Sequence, residues 1–538
     1  MTIGEKIAIL RTMSNISQEQ LAEKISVSRQ AVSRWEMDQA VPQIEKIIQL
    51  CEFFGITTDE LLKEENSIRN PAEKLKNKYF GTDGFRGEAG VNLTSMHAYK
   101  IGRFLGWYYS SPLSGCTKTG YRPRIVVGKD TRRSSYMLEY SIVAGLTASG
   151  ADVYMLHVTT TPSVSYVTRQ DEFDCGIMIT ASHNPFYDNG IKVINRYGEK
   201  LDDDTTALIE AYIDGDMNAL GLSSADLPWE QREKIGCIVD YASGRNRYVA
   251  YLISLASHSY KNLRIGLDCA NGASWMIAKA VFSALGAQVE VIGAEPDGLN
   301  VNNGCGSTHM EKLCRLVKER RLDVGFAFDG DADRCIAVDE NGIVADGDKM
   351  LYILGKRLKS RGMLKNDTVV ATVMSNSGFV ASLEQAGMKC VQTTVGDRFV
   401  YECMQENDYA LGGEQSGHII LKKYATTGDG ILTAIMLTEE ICDTKTKLSE
   451  LAKPVTLYPQ YTRNVKVKDK RAVTCDIEVA AAVKRTEALI NKKGRALLRE
   501  SGTEPVVRIM IECESEEKCA EYANSIAEVI KERGYCVE

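Results

Sequence analysis

Two stretches, RIVVG (Arg124–Gly128) and YSIVAGLTASGADVYML (Tyr140–Leu156), decide how most of this chain is read. A short apolar strand-like run is followed by a helical period and then by a second strand-like run. The same rhythm returns in LRIGLDCANG (Leu263–Gly272), VGFAF (Val324–Phe328) and TVVATVM (Thr368–Met374). Strands alternating with helices predict α/β layers. No period of tens of residues is sharp, but strand–helix units recur across 125–450 like loosely related domains. From about Leu457 the character changes. TRNVKVKDK (Thr462–Lys470), a helix around 476–493 and RALLRESGTEPVVRIMIEC (Arg495–Cys513) predict a smaller α+β domain.

The bulk numbers agree with a multidomain globular protein. The chain has 538 residues, 44% of them apolar and 25% charged. A net charge of −7 argues against wholesale attraction to nucleic acid or membrane. No stretch approaches the ~18 apolar residues of a membrane span. Residues 1–16 carry Glu5, Lys6 and Arg11 and do not read as a signal peptide. The 15 cysteines are scattered without a C-x-x-C pair, so reduced thiols and a cytoplasmic setting are expected, and a cysteine zinc site is not.

Residues 1–64 read as short helices. Ile3, Ile7 and Leu10 fall at helical spacing. Ser17 with Gln20 makes a capping box, and Ser28 is the expected cap of the next helix. IEKIIQLCEFFG is an amphipathic helix stopped by Gly55, and Thr57 with Glu60 caps one more turn through Leu62. SQEQLAEKISVSRQAVSRWE (Ser17–Glu36) resembles the Cro/CI-type (XRE) helix-turn-helix family. The resemblance implies a recognition helix at about Ser28–Met37, with Arg29, Gln30, Ser33 and Arg34 facing double-stranded DNA. Acidic residues outnumber basic ones here, so phosphate attraction is weak and a protein-docking helical domain is the alternative. Residues 65–77, ENSIRNPAEKLKN, read as a linker.

Four stretches carry residue types that handle phosphate, metal and hydroxyls. In IMITASHNPFYDNGIK (Ile177–Lys192), Ser182 has no nucleophile elbow around it, but a serine can also carry phosphate covalently. Its near-double charge needs donors and cations, which His183 and Lys192 can supply; a turn cap before Pro185 is the plain alternative. In AFDGDADRCIAVDENG (Ala327–Gly342), Asp329, Asp331 and Asp333 alternate at a strand end, an all-oxygen set suited to Mg²⁺ or Ca²⁺. An EF-hand fails, because its sixth position must be glycine and is Arg334. Full solvation of the acidic turn is disfavoured by the apolar flanks. In LGGEQSGHIIL (Leu411–Leu421), Glu414 and Ser416 can grip sugar hydroxyls and His418 can shuttle a proton. In RESGTEPVVR, Arg499, Ser501, Gly502, Thr503 and Arg508 suit a dianionic phosphate.

Taken together, TASHNP, DGDADR, GEQSGH and SGTEP make residues 78–538 resemble the α-D-phosphohexomutases over their whole length. YFGTDGFRG, NVNNGCGSTH, TTVGDRFV and TTGDGI bring the likeness nearest to the bacterial phosphoglucosamine mutase subgroup. The resemblance implies a helix-turn-helix domain (1–64), a linker (65–77) and four mutase domains at 78–237, 238–340, 341–455 and 456–538. Three of these are related α/β domains and the last is α+β. Ser182 would be the phosphoserine, with Asp329, Asp331 and Asp333 holding one Mg²⁺ beside it. Arg86, His183 and Lys192 would line the moving phosphoryl group, with His418 also catalytic. Glu414 and Ser416 would hold the sugar, and Arg499, Ser501, Gly502, Thr503 and Arg508 the distal phosphate. Phe85, Thr180, Ser377 and Glu500 depart from common family residues without removing a catalytic group.

The implied reaction interconverts glucosamine 6-phosphate and glucosamine 1-phosphate through a 1,6-bisphosphate, which also serves as activator. Direct transfer from O6 to O1 is implausible, because attacking and leaving oxygens must lie roughly in line. Phosphoglucomutase or phosphomannomutase activity stays open, since one substituent separates the substrates. So does a transcription regulator whose mutase body senses a sugar phosphate. No membrane partner is expected, and a homodimer is compatible with the resemblance.

Overall fold

Residues Met1–Lys76 and Asn77–Glu538 form two units. The computed structural model describes residues 3–13, 16–36, 40–54, 58, 78–118, 120–490, 494–501 and 506–537. Gly55, the Thr57–Glu60 cap with Leu62, Met37, the linker 65–77, Gly502 and Thr503 lie outside the described residues.

The first unit is helical: α1 (Ile3–Met13), α2 (Gln18–Lys24), α3 (Arg29–Glu36) and α4 (Ile44–Phe54). The expected capping box opens α2, with Ser17 Oγ accepting the Gln20 N–H and Gln20 Oε1 accepting the Ser17 N–H. Ser28 Oγ accepts the Ala31 N–H at 3.2 Å and starts α3. Such caps contribute about 1 kcal/mol each. Ile7, Leu21, Val32, Trp35 and Leu50 fill the core. Arg11 clamps Glu36 at the end of α3 through Nε at 2.6 Å, and Gln18 joins it at 2.7 Å.

The second unit holds four sheets. The first contains β1 (Phe80–Gly81), β2 (Gly84–Glu88), β3 (Arg124–Lys129), β4 (Asp152–Val158), β5 (Cys175–Ile179), β6 (Asp188–Asn195) and β7 (Ile238–Asp240), ordered β1-β2-β6-β5-β3-β4-β7. The second contains β8 (Arg264–Asp268), β9 (Gln288–Ile292), β10 (Val324–Phe328), β11 (Cys335–Asp339) and β12 (Val344–Ala345), ordered β12-β11-β10-β8-β9. The third contains β13 (Thr368–Thr372), β14 (Lys389–Thr393), β15 (Leu411–Gly413) and β16 (Ile419–Leu421), ordered β14-β13-β15-β16. The last, β17 (Gln460–Lys466), β18 (Arg495–Glu500) and β19 (Val506–Glu512), is antiparallel with β19 central.

A common plan underlies the first three sheets. β3, β4 and β5 are parallel, with β6 returning antiparallel beside β5. β8, β9, β10 and β11 repeat this pattern, and so do β13, β14, β15 and β16. Parallel neighbours need long crossovers, which helices supply here, whereas an antiparallel return needs only a short loop. Each sheet therefore has one tight loop between its third and fourth repeat strands. β3, β5, β10 and β13 are buried almost throughout, which is why their sequences are continuous apolar runs rather than alternating ones.

The first sheet has its own core around Phe104, Ile142 and Ile177. A single core runs from the second sheet into the third, uniting Phe326 and Phe328 with Leu354 and Ile435. The last sheet packs separately on Val479 and Ile526. Fully buried Glu512 ties it to the third by accepting Ser377 N–H at 3.0 Å and Ser377 Oγ–H at 2.8 Å. None of the 15 cysteines forms a disulfide. No described helix is long and apolar enough to cross a membrane.

Candidate active site

The three tight loops carry three of the four stretches singled out in the sequence. Ser182 and His183 lie between β5 and β6, Asp329, Asp331 and Asp333 between β10 and β11, and Glu414, Ser416 and His418 between β15 and β16. Repetition of one strand plan thus delivers each chemical group from the equivalent place in its sheet. Placement outside the carboxyl ends of parallel strands is also where α/β sheets bind ligands.

Ser182 is fully buried and left-handed, with φ 53°. Its Oγ donates to Asp329 Oδ2 at 2.5 Å and lies 3.3 Å from His183 Nδ1. The three aspartates are buried, and one ligand oxygen from each lies within 4.8 Å of the others. Lys192 on β6 donates to Asp331 Oδ2 at 2.9 Å and Asp333 Oδ2 at 3.0 Å. Asp331 Oδ1 and Asp333 Oδ1 are buried with no hydrogen-bond partner. Orphaned carboxylate oxygens beside a serine hydroxyl fit a hard divalent cation such as Mg²⁺. Burial, with Asp333 and Asp331 adjacent, pushes Asp329 well above the usual carboxylate range. Burial opposes ionisation of Asp333 too, but Lys192 and His418 outweigh it and hold that group well below.

Arg86 on β2 donates to Asp83 and, at 3.3 Å, to Asn184 Oδ1. Asp83 also pairs with Lys192 at 3.2 Å and Lys200 at 3.0 Å, so one carboxylate spaces three cations around the cradle. His183 departs from the sequence expectation that it supplies positive charge. Burial, with Arg334 and Arg86 beside it, lowers its pKa to about 3. Its Nδ1 accepts from Arg334 Nη1 at 2.9 Å, so the imidazole is neutral and Arg334 supplies the charge.

His418, expected to shuttle a proton, stands between Gly428 and the metal loop. It is buried; Nε2 accepts the Gly428 N–H at 3.0 Å, and Nδ1 faces Asp333 Oδ1 at 3.7 Å. The carboxylate of Asp397 and then that of Asp333 overcome burial and raise its pKa to about 9. The Gly428 contact requires Nε2 as acceptor and so belongs to the neutral ring present above about pH 9; in the cation Nε2–H has Asp397 Oδ2 at 3.4 Å as its partner. Both nitrogens are engaged inside the protein, which suits orienting Asp333.

Glu414 is half-buried and accepts the Gly396 N–H at 3.1 Å, while Ser416 is exposed. Arg499 and Arg508 stand opposite each other on β18 and β19. Burial and then Arg508 lower the Arg499 pKa. Ser501 is buried just past β18, its carbonyl accepting from Lys470 at 2.6 Å.

Sequence reasoning passed over Asp83, Arg334 and the polar run Asp130–Ser135. The last had a readable signal, a polar cluster directly after the apolar strand β3.

Comparison with known proteins agrees with this geometry. The phosphoglucomutase/phosphomannomutase family matches in four parts: alpha/beta/alpha domain I over residues 77–219, domain II over 246–342, domain III over 346–458 and the C-terminal domain over 463–529. The chain belongs to this family. A helix-turn-helix family matches residues 7–61. Phosphoglucosamine mutase of Lachnospira eligens is 57% identical over 460 residues, 86% of this chain and all of the relative. That of Bacillus subtilis is 47% identical over 454 residues, 84% of this chain and 98% of the relative. A phosphoglucomutase/phosphomannomutase family protein from Burkholderia thailandensis has the same fold, with TM-score 0.68 at 23% identity over 85% of this chain and 97% of that one. The phosphohexomutase is an isomerase that moves phosphate within a sugar, preceded by a helix-turn-helix module.

Proposed function

We propose that the enzyme interconverts glucosamine 6-phosphate and glucosamine 1-phosphate, with Ser182 as phosphoryl carrier and glucosamine 1,6-bisphosphate as intermediate and activator. The observation that carries this reading is the buried Ser182 hydroxyl, 2.5 Å from Asp329, with Lys192 on Asp331 and Asp333, Arg86 on Asn184 and Arg334 on His183. The sugar is inferred from relatives 57% and 47% identical that bear the phosphoglucosamine mutase name. The domain limits 1–64, 65–77, 78–237, 238–340, 341–455 and 456–538 are part of the same reading.

The chain's own groups account for most of the chemistry. The Ser182 phosphate ester would break as a sugar hydroxyl forms a new ester, and reversal at the other end returns the group to Ser182. Lys192, Arg86 and Arg334 would balance its negative charge in a buried site. Neutral His183 can accept or donate a hydrogen bond without adding charge. Asp329, Asp331 and Asp333 would hold Mg²⁺, which when bound neutralises charge on the transferring group. Glu414 and Ser416 would bind sugar hydroxyls in either orientation, while Arg499, Ser501, Gly502, Thr503 and Arg508 retain the distal phosphate. Burial of Ser182 protects its ester from hydrolysis.

The test is an assay with Mg²⁺ and trace bisphosphate against glucosamine, glucose and mannose 6-phosphates, with intact-mass detection of phosphate on Ser182. Preference for glucose or mannose 6-phosphate would reassign the substrate; turnover with an unmodified serine throughout the cycle would refute the relay.

A second reading concerns the first unit alone. Arg29, Gln30 and Arg34 are exposed on α3 and Ser33 is half-buried, an arrangement suited to major-groove DNA. The Arg29–Glu19 pair at 2.9 Å is solvent-exposed and therefore weak, leaving Arg29 able to exchange partners. A homodimer placing two such helices on adjacent half-sites and a cytoplasmic setting belong to this reading. Arg29→Ala with Arg34→Ala should abolish retention of DNA selected from random sequence. Failure of the intact protein to retain any such DNA would remove it.

A further inference from the structure

Ser182 is held at both ends of its own peptide by residues that touch no reacting atom. A non-glycine residue at φ 53° is disfavoured by its Cβ and persists only where its surroundings impose it. On the amino side, Ser182 N–H donates to Thr180 Oγ1 at 2.9 Å, and Thr180 Oγ1–H donates to Asp130 Oδ2 at 2.8 Å. Asp130 is fully buried and fixes the direction of that hydroxyl. On the carbonyl side, Ser182 C=O accepts from Arg132 Nη2 at 2.8 Å and Asn302 Nδ2 at 2.9 Å.

Arg132 is also fully buried. Its Nε donates to Asp130 Oδ2 at 2.8 Å, Nη1 to Pro185 C=O and, at 3.1 Å, to Asp188 C=O, and Nη2 to Asn184 C=O at 2.8 Å besides Ser182. All five guanidinium N–H groups are therefore used, three on the loop between β5 and β6 and one on Asp188, where β6 begins. Asn302 approaches from the second sheet's domain and also reaches Asn184 C=O at 3.1 Å. No ammonium can reproduce this fork, because three tetrahedral donors cannot reach acceptors spread along a loop.

We propose that Arg132 and Asn302 are positioning residues for phosphoryl transfer: they lock the Ser182 peptide in its left-handed state and so aim Oγ at the metal loop and the incoming sugar. This rests on Ser182 as phosphoryl carrier. Asn302 further makes the aim depend on docking of the second domain against the first, because its amide is the second donor on the carbonyl. Displacement of a reacting group by about 1 Å can cost ~10²-fold in rate, which sets the effect expected from losing the lock.

The experiment measures single-turnover discharge of phosphate from Ser182 to glucosamine 6-phosphate, using wild type, Asn302→Ala, Arg132→Lys and Arg132→Ala. A single-turnover rate constant does not depend on how much of the preparation is folded, so a merely structural role leaves it unmoved. Asn302→Ala should slow discharge roughly tenfold and Arg132→Lys ~10²-fold, with KM for the sugar phosphate little changed. Added guanidinium should partly restore Arg132→Ala. Should the arginine variants fail to fold, Asn302→Ala decides alone. Wild-type discharge rates in the folded variants overturn the proposal. If wild type takes up no phosphate on Ser182, the carrier reading itself falls, and this inference with it.

Discussion

At the scale of single residues, the active centre depends on contacts with no slack. Gly330 lies in the metal loop, and a Cβ there would stand 2.5 Å from Ser182 carbonyl oxygen. Gly330→Ala must push the metal and serine loops apart; a loss of about 1–3 kcal/mol in stability is expected by thermal denaturation, together with most of the activity. Ser182→Ala removes only a buried hydroxyl, so turnover should vanish while circular dichroism and melting temperature stay near wild type. A variant with normal mutase rates would contradict the role of the hydroxyl. The orphaned oxygens of Asp331 and Asp333 give a metal prediction. Mg²⁺ at about 100 times its Kd should stabilise the enzyme by about 2.7 kcal/mol, seen as a higher melting temperature that EDTA reverses. Asp331→Asn should lose most of that increment.

Among elements, helix Gly430–Thr444 shows how burial makes a cap sensitive to pH. Its N-cap Asp429 accepts Leu432 N–H at 2.9 Å and Tyr248 O–H at 2.8 Å inside the core. Burial raises its pKa from 3.8 to about 6. The folded form therefore holds a proton that the unfolded chain releases between about pH 4 and pH 6. Stability from this group is highest below pH 4, falls as pH rises through that window, and is flat above it; the difference is about 3 kcal/mol. Asp429→Asn keeps an acceptor for the helix and should flatten this limb in denaturant titrations between pH 4 and 7. Elements also divide what can be read from sequence. The Ser17–Gln20 box was legible because capping is local. The buried strands β3, β10 and β13 were legible because parallel strands covered on both faces leave unbroken apolar runs. The antiparallel partners β11 and β16 are apolar runs as well, but nothing in their composition states their direction or which neighbour they join; the short loops set that.

Across the whole molecule, the residues proposed to bear chemistry were legible and those that hold them in place were not. Ser182, Asp329 and Lys192 betray themselves by type, because phosphate and metal demand few kinds of side chain. Asp130, Arg132 and Asn302 act through tertiary contacts between segments 50 to 120 residues apart, and sequence carries no record of such pairings. The neutral state of His183 was not legible for the same reason, since burial and its arginine neighbours fix it. The continuous core beneath the second and third sheets likewise crosses the expected domain limit at 340. Two separate units, with relatives that match almost wholly to the second, predict that deleting residues 1–77 leaves kcat within about twofold while abolishing any DNA retention. A large fall in kcat for a folded deletion variant would show that the units are coupled. Finally, the loops proposed for phosphate carriage, metal grip and sugar grip occupy matching places in three sheets, the second and third of which share one core. The tip between β15 and β16 leans on the metal loop, through Gly417 C=O accepting the Cys335 N–H at 3.0 Å and His418 beside Asp333, so any retuning of hexose choice made there would be felt at the ion.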